Sequence, residues 1–168
     1  HRTHTYVNAG EYTVTISGTM ETIYFNADLG QPKEQLISIP NLGAVGWKSF
    51  ESAFGGCTAL ADTAGGDTSQ VVDMAYMFAD ARIATPQTSG WDTAKVQSLQ
   101  GMFSQAAAAN PDTAGWNTAH VTSMRSLFLG ASEAQPDTGH WNTARVSDMR
   151  TMFQRAYKAN PDTSRWDT

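Results

Sequence analysis

The chain has 168 residues, with 11 Lys and Arg against 16 Asp and Glu and a formal net charge of −5. This length suits one elongated domain. The acidic balance offers no prior for the basic patch that nucleic-acid binding needs, and no apolar run approaches the roughly 18 residues of a membrane span. The lone cysteine, Cys57, excludes an internal disulfide framework.

The chain starts at His1, shows no signal peptide, and stops at Thr168 inside a repeated motif. It is expected to be a piece of a longer protein. Residues 1–45 differ in texture from the rest and read as an N-terminal β-rich cap. Tyr12–Ser17 is rich in β-branched residues and ends at Gly18, and Thr22–Phe25 follows. Two such runs bounded by turn residues predict a β-hairpin. Thr5–Val7 is a candidate third strand, and Leu36–Ile39 is another short one, stopped by Pro40. A cap is expected because the end coil of a repeat array exposes its apolar face.

Residues 46–168 form the second region. Trp47, Phe50, Ala53, Phe54 and Cys57 map onto Val71, Met74, Met77, Phe78 and Ala81 with an offset of 24, so residues 47–70 read as a divergent first coil. Gly65-Gly66 is where this coil departs most, and it is the expected flexible point. Cys57 falls where later coils carry alanine. A buried small side chain is therefore expected there, rather than a reactive thiol.

From here the repeat is regular. Trp91, Trp116, Trp141 and Trp166 recur every 25 residues, as do Phe78, Phe103, Phe128 and Phe153. A period in this range marks a stacked array whose coils bury each other's apolar faces. Val96, Leu99, Met102, Phe103 and Ala106 are spaced three, three, one and three residues apart. That spacing predicts one face of a helix, with Thr93, Thr118 and Thr143 as its N-caps. The Pro-Asp-Thr returns that follow predict an extended stretch through each Trp. The expected fold class is α/β: a leucine-rich-repeat-like solenoid of strand-helix coils of about 25 residues.

The units Trp91-Asp-Thr-Ala-Lys-Val96 through Met102-Phe103, and Trp116-Asn-Thr-Ala-His-Val121 through Leu127-Phe128, resemble the BspA-like bacterial surface repeat. The resemblance covers about residues 47–168. It implies a secreted or cell-surface module implicated in adhesion, and supplies no shared ligand or ligand-binding residues. Ala109 and Ala159 stand where that family has Phe, and Thr113, Thr138 and Thr163 where it has Ile. Thinner coils are expected as a result.

Asp112, Asp137 and Asp162 would stack. They read either as a calcium ladder or, as favoured here, as residues that each close their own turn. The tryptophans read as packing rather than as a sugar platform, because every coil keeps them. The threonine rows read as turns and caps rather than as an ice-binding plane.

Positions that vary between coils mark solvent. Lys95, His120 and Arg145 share one, Gln100, Arg125 and Arg150 another, and Gly90, Gly115, His140 and Arg165 precede the tryptophans. Lys95, His120, Arg125, Arg145, Arg150, His140 and Arg165 are therefore the candidate binding residues, a weakly basic strip that suits an anionic partner. The alternative is an ordinary solvated face.

No Gly-x-Ser-x-Gly elbow, Cys-x-x-Cys pair, His-Glu-x-x-His or phosphate loop is present. No catalytic residue, metal ligand or cofactor is assigned. The expected function is recognition of a host or prey cell-surface protein or glycan. The alternative is a structural spacer or fibre-assembly element that self-associates through an uncapped C-terminal coil.

Overall fold

The computed structural model describes residues 10–25 and 33–167. Successive repeats lie side by side in parallel register. Single-residue parallel bridges join Thr22 to Ser49, Ser49 to Asp73, Asp73 to Ser98, Ser98 to Ser123, and Ser123 to Asp148. A shorter column pairs β1 (Ser38–Ile39) with β2 (Asp62–Thr63), also parallel, and continues through a Gly43–Gly66 bridge.

The segments expected to be helical are not. Among the described residues there is no α-helix, only a 3₁₀ turn at Lys33–Gln35. In the Leu99–Ala106 segment, alternate N–H groups leave the coil. Leu99, Gly101, Phe103 and Gln105 donate to the carbonyls of Ser123, Arg125, Leu127 and Leu129 at 2.6–3.0 Å. The residues between them close tight turns: Met102, Ser104 and Ala106 donate to Leu99, Gly101 and Phe103 at 2.9–3.2 Å. The same alternation recurs from Phe50 to Gly56, Met74 to Asp80 and Met124 to Gly130. A helix satisfies its N–H groups internally, four residues back. Here half of them are spent on the neighbouring coil.

This backbone needs left-handed residues. Ser52, Tyr76, Asp80, Gln105, Ser126, Thr151 and Arg155 have φ of 53–62°, and Gly56, Gly101 and Gly130 take equivalent positions at 59–75°. Side chains with a Cβ are costly there, and Ser52, Tyr76, Asp80, Gln105 and Ser126 each offset that cost with an N–H bond to the following coil. The core is nevertheless the expected one. Val96, Leu99, Met102, Phe103 and Ala106 are fully buried, as are Val121, Met124, Leu127, Phe128 and Ala131. A run of turns that points roughly every third side chain inward has the same apolar spacing as a helix face, which is why spacing alone misassigned the backbone.

The Phe78–Phe103–Phe128–Phe153 rings stack at centroid separations of 5.6–5.7 Å, with planes within 10°. Trp116, Trp141 and Trp166 stack beside them at 6.3 and 6.4 Å. Offset stacking is the favourable arrangement for such pairs. The indole N–H groups of Trp91, Trp116, Trp141 and Trp166 are buried without a hydrogen-bond partner. These four tryptophans therefore use the ring and not the polar handle.

The threonines are not N-caps. Thr93, Thr118 and Thr143 are 2 % exposed. Each donates its hydroxyl to the carbonyl after the next tryptophan, of Asn117, Asn142 and Asp167, at 3.0–3.1 Å. Each also accepts from the N–H of that same residue at 2.8 Å. A second row, Thr88, Thr113 and Thr138, donates to the carbonyls of Asp112, Asp137 and Asp162 at 2.7–2.8 Å. These small hydroxyls fasten one coil to the next where the Pro-Asp-Thr return has no sheet ladder.

Near the N-terminus the expected hairpin is absent. Tyr12–Ser17 is exposed and forms no strand. Residues 20–25 run parallel to the first coil instead: Met20 N–H donates to Val45 carbonyl at 2.8 Å and Phe25 N–H to Ala53 carbonyl at 3.3 Å. Met20, Ile23 and Phe25 pack on the core, and that burial favours docking on a coil over pairing locally. Thr5–Val7 lies outside the described residues. Gly66 is a packing position, since a Cβ there would sit 2.6 Å from Leu42 Cβ and 2.8 Å from the Gly43 carbonyl oxygen.

Candidate binding surface

Burial of the apolar row forces the residues beside it outward, and the parallel register brings equivalent outward positions into line. Lys95, His120 and Arg145 are all exposed in one such row. Lys95 Nζ donates to Gln70 Oε1 at 2.6 Å, reaching back to the preceding coil. His120 Nδ1 lies 2.9 Å from the Ala94 carbonyl oxygen. A carbonyl only accepts, so Nδ1 carries the hydrogen and Nε2 is left as the free ring nitrogen. Arg145 has no hydrogen-bond or ion-pair partner among the described residues.

Between this row and the next outward row lies an open groove of about 450 Å³, lined by Gln97, His120, Thr122 and Arg145. Thr122 Oγ1 donates to the Gln97 carbonyl at 3.1 Å, which ties the two coils together at the groove floor. No carboxylate lines it. The row beside it carries Asn117 and Asn142 in the coils of His120 and Arg145, where the flanking coils carry Asp92 and Asp167.

The other candidates do not join this groove. Arg150 grips Asp148 with two parallel bonds, Nε to Oδ1 at 2.9 Å and Nη2 to Oδ2 at 2.7 Å. Hydrogen bonds from the Arg150 side chain and backbone hold the Asp148 carboxyl down at about 2, with smaller help from the Arg150 and Arg125 charges. Both arginines of this row thus face a carboxylate. His140 and Arg165 act on Asp162, which is held below the ordinary carboxylate range first by hydrogen bonds from Ser164 and then by these two charges. The seven basic residues fall into three groups of different character, and among the described residues the groove at His120 and Arg145 has no acidic side chain in its lining. Gln97 and Thr122 were missed from sequence. Their signal was variation across the row Val72, Gln97, Thr122 and Ser147.

Asp112, Asp137 and Asp162 each accept from the N–H two residues on, of Ala114, Gly139 and Ser164, at 2.9–3.1 Å. Each closes its own turn, and among the described residues no group of three potential ligands is placed to hold a metal ion. Trp91, Trp116 and Trp141 are 2–4 % exposed and offer no ring face to a sugar. Cys57 is fully buried in its alanine position, and burial pushes its thiol up to about 11, against a smaller lowering by the Lys33 charge.

A family described as "Mycoplasma protein of unknown function, DUF285" matches residues 48–168. The chain belongs to the DUF285 family. The match begins one residue after Trp47, so the DUF285 region takes in the divergent first coil, all the regular ones and the groove. No curated protein and no solved structure matches the chain.

Proposed function

We propose that this DUF285 chain is a recognition module, part of a larger secreted or cell-surface protein, that binds a surface protein or glycan of another cell. The groove between His120 and Arg145 carries the proposal: it is free of carboxylates on a chain of net charge −5. Side chains that vary from coil to coil line it, on a backbone that does not vary. This is how a repeat array keeps its fold while altering its surface. The resemblance to BspA-like repeats supports the same reading, as does the lack of a recognisable catalytic motif. The proposed architecture is a solenoid, with the turn-built coils described above in place of strand-helix units. A panel of cell-surface glycans and extracellular proteins tests the proposal. Binding that is lost when His120 and Arg145 become serine supports it, and an empty panel counts against it.

A spacer or assembly role is the second reading. Val146, Met149, Phe153 and Trp166 are only half-buried, whereas their equivalents one coil earlier are buried. Sedimentation that stays monomeric at high concentration would weaken self-association.

A further inference from the structure

We infer that the groove takes a linear anionic polysaccharide, with a carboxylate or sulfate on successive sugars. This rests on the recognition reading and narrows its ligand. Three observations point the same way. The first is charge. Among the described residues Arg145 has no hydrogen-bond or ion-pair partner and the groove lining holds no acidic group, while His120 Nε2 is left to accept from a sugar hydroxyl. An arginine without an internal carboxylate is available for a paired hydrogen bond to an external oxyanion.

The second is the chemistry of the floor. Gln97 and Thr122 offer an amide and a hydroxyl oxygen, and no aromatic or large aliphatic side chain lines the groove. Sugar hydroxyls match such a floor. Single-stranded nucleic acid favours aromatic platforms for its bases, and tight protein epitopes are enriched in buried aromatic anchors, for which this groove has no apolar lining.

The third is spacing. Lys95, His120 and Arg145 recur once per coil in register, and coils joined by parallel backbone bonds lie roughly 4.8 Å apart. An extended acidic peptide presents same-face side chains about 6.6 Å apart, so it slips out of register within two coils. A linear sugar chain whose repeat is close to the coil spacing stays in register, so that an anionic group reaches Arg145 while the neighbouring sugar lies over His120 and Gln97.

The test uses the full chain and calorimetric titration with polygalacturonate, heparin, neutral dextran, polyglutamate and single-stranded DNA at low and physiological salt. The variants are His120→Ser/Arg145→Ser, Arg145→Lys, and Arg155→Ser as an exposed arginine away from the groove. Circular dichroism checks that each is folded. The expected result is binding of the two acidic polysaccharides but not dextran. The double variant should weaken it about tenfold or more, with partial retention in Arg145→Lys and a change within about twofold for Arg155→Ser. Equal loss in Arg155→Ser would overturn the inference, because it would mean diffuse charge attraction. Polyglutamate or DNA binding as tight as the polysaccharides would overturn it as well. If the chain ignores every polyanion yet binds cells or proteins through His120 and Arg145, the polysaccharide inference fails while the recognition reading survives. If it binds nothing, both fail.

Discussion

The hydroxyl fasteners make a quantitative prediction, because the two threonine rows differ by one hydrogen bond. Thr118 Oγ1 both donates to the Asn142 carbonyl at 3.0 Å and accepts from the Asn142 N–H at 2.8 Å. Thr113 Oγ1 only donates, to the Asp137 carbonyl at 2.8 Å. Both residues are nearly inaccessible, at 2 % and 1 %. Thr→Val preserves shape and removes the hydroxyl, so it isolates the bonds. Each net bond contributes about 1 kcal/mol, and a buried partner left unpaired costs about 1–3 kcal/mol. Thr118→Val should therefore cost about 2–3 kcal/mol and Thr113→Val about 1–1.5 kcal/mol. The gap of about 1 kcal/mol corresponds to roughly 2–4 °C in melting temperature for a chain of this size. Urea unfolding with a shared m-value measures it. Thr118→Ser, which keeps the hydroxyl, should lie well below Thr118→Val. The reasoning is refuted if Thr118→Val costs no more than Thr113→Val, or if serine is as damaging as valine.

Gly66→Ala should destabilise by about 1–3 kcal/mol through overpacking, since its Cβ would meet Leu42 Cβ at 2.6 Å and backbone of Gly43 at 2.8 Å; Gly65→Ala, with open space around it, is the control in the same urea assay. Cys57 should resist a thiol reagent at pH 8 in the folded chain and react fully in denaturant, because burial raises its thiol to about 11; prompt labelling of the native protein would contradict the buried assignment. The Asp148 carboxyl should titrate near 2 by carbon-detected NMR. Its folded value lies below the ordinary 3.8, so its contribution to stability is present above about pH 4 and is lost as pH falls toward 2. Arg150→Gln should move that midpoint up, and an unmoved midpoint would remove Arg150 as the cause.

The candidate surface was partly legible. Variation within a repeat identified Lys95, His120 and Arg145 as outward, because the apolar rows beside them are too regular to be anything but buried. What sequence could not separate was a free arginine from a paired one. Arg145 and Arg150 look alike in the chain, yet one lines an open groove and the other is clamped by Asp148, two residues before it. That distinction depends on rotamers and on the register of adjacent coils, which one-dimensional spacing does not carry.

Spacing alone determined that the chain is a repeat, which side chains are inside, and that Cys57 occupies an alanine position. Burial follows the apolar pattern whatever the backbone does. Only the tertiary structure decided the backbone itself. Intervals of three, three, one and three residues suit a helix face and a run of tight turns equally well. The choice lies in where the N–H groups find acceptors. A neighbouring coil in parallel register supplies carbonyls at 2.6–3.1 Å to alternate residues, and an isolated repeat has none to offer. Glycine at Gly101 and Gly130, at φ of 59° and 71°, was the one local sign. The same positions hold Tyr76, Ser126 and Thr151, or Asp80, Gln105 and Arg155, in other coils, which hid it. Tyr76, Asp80, Gln105 and Ser126 each donate their N–H to the following coil, which offsets the local strain of a left-handed backbone.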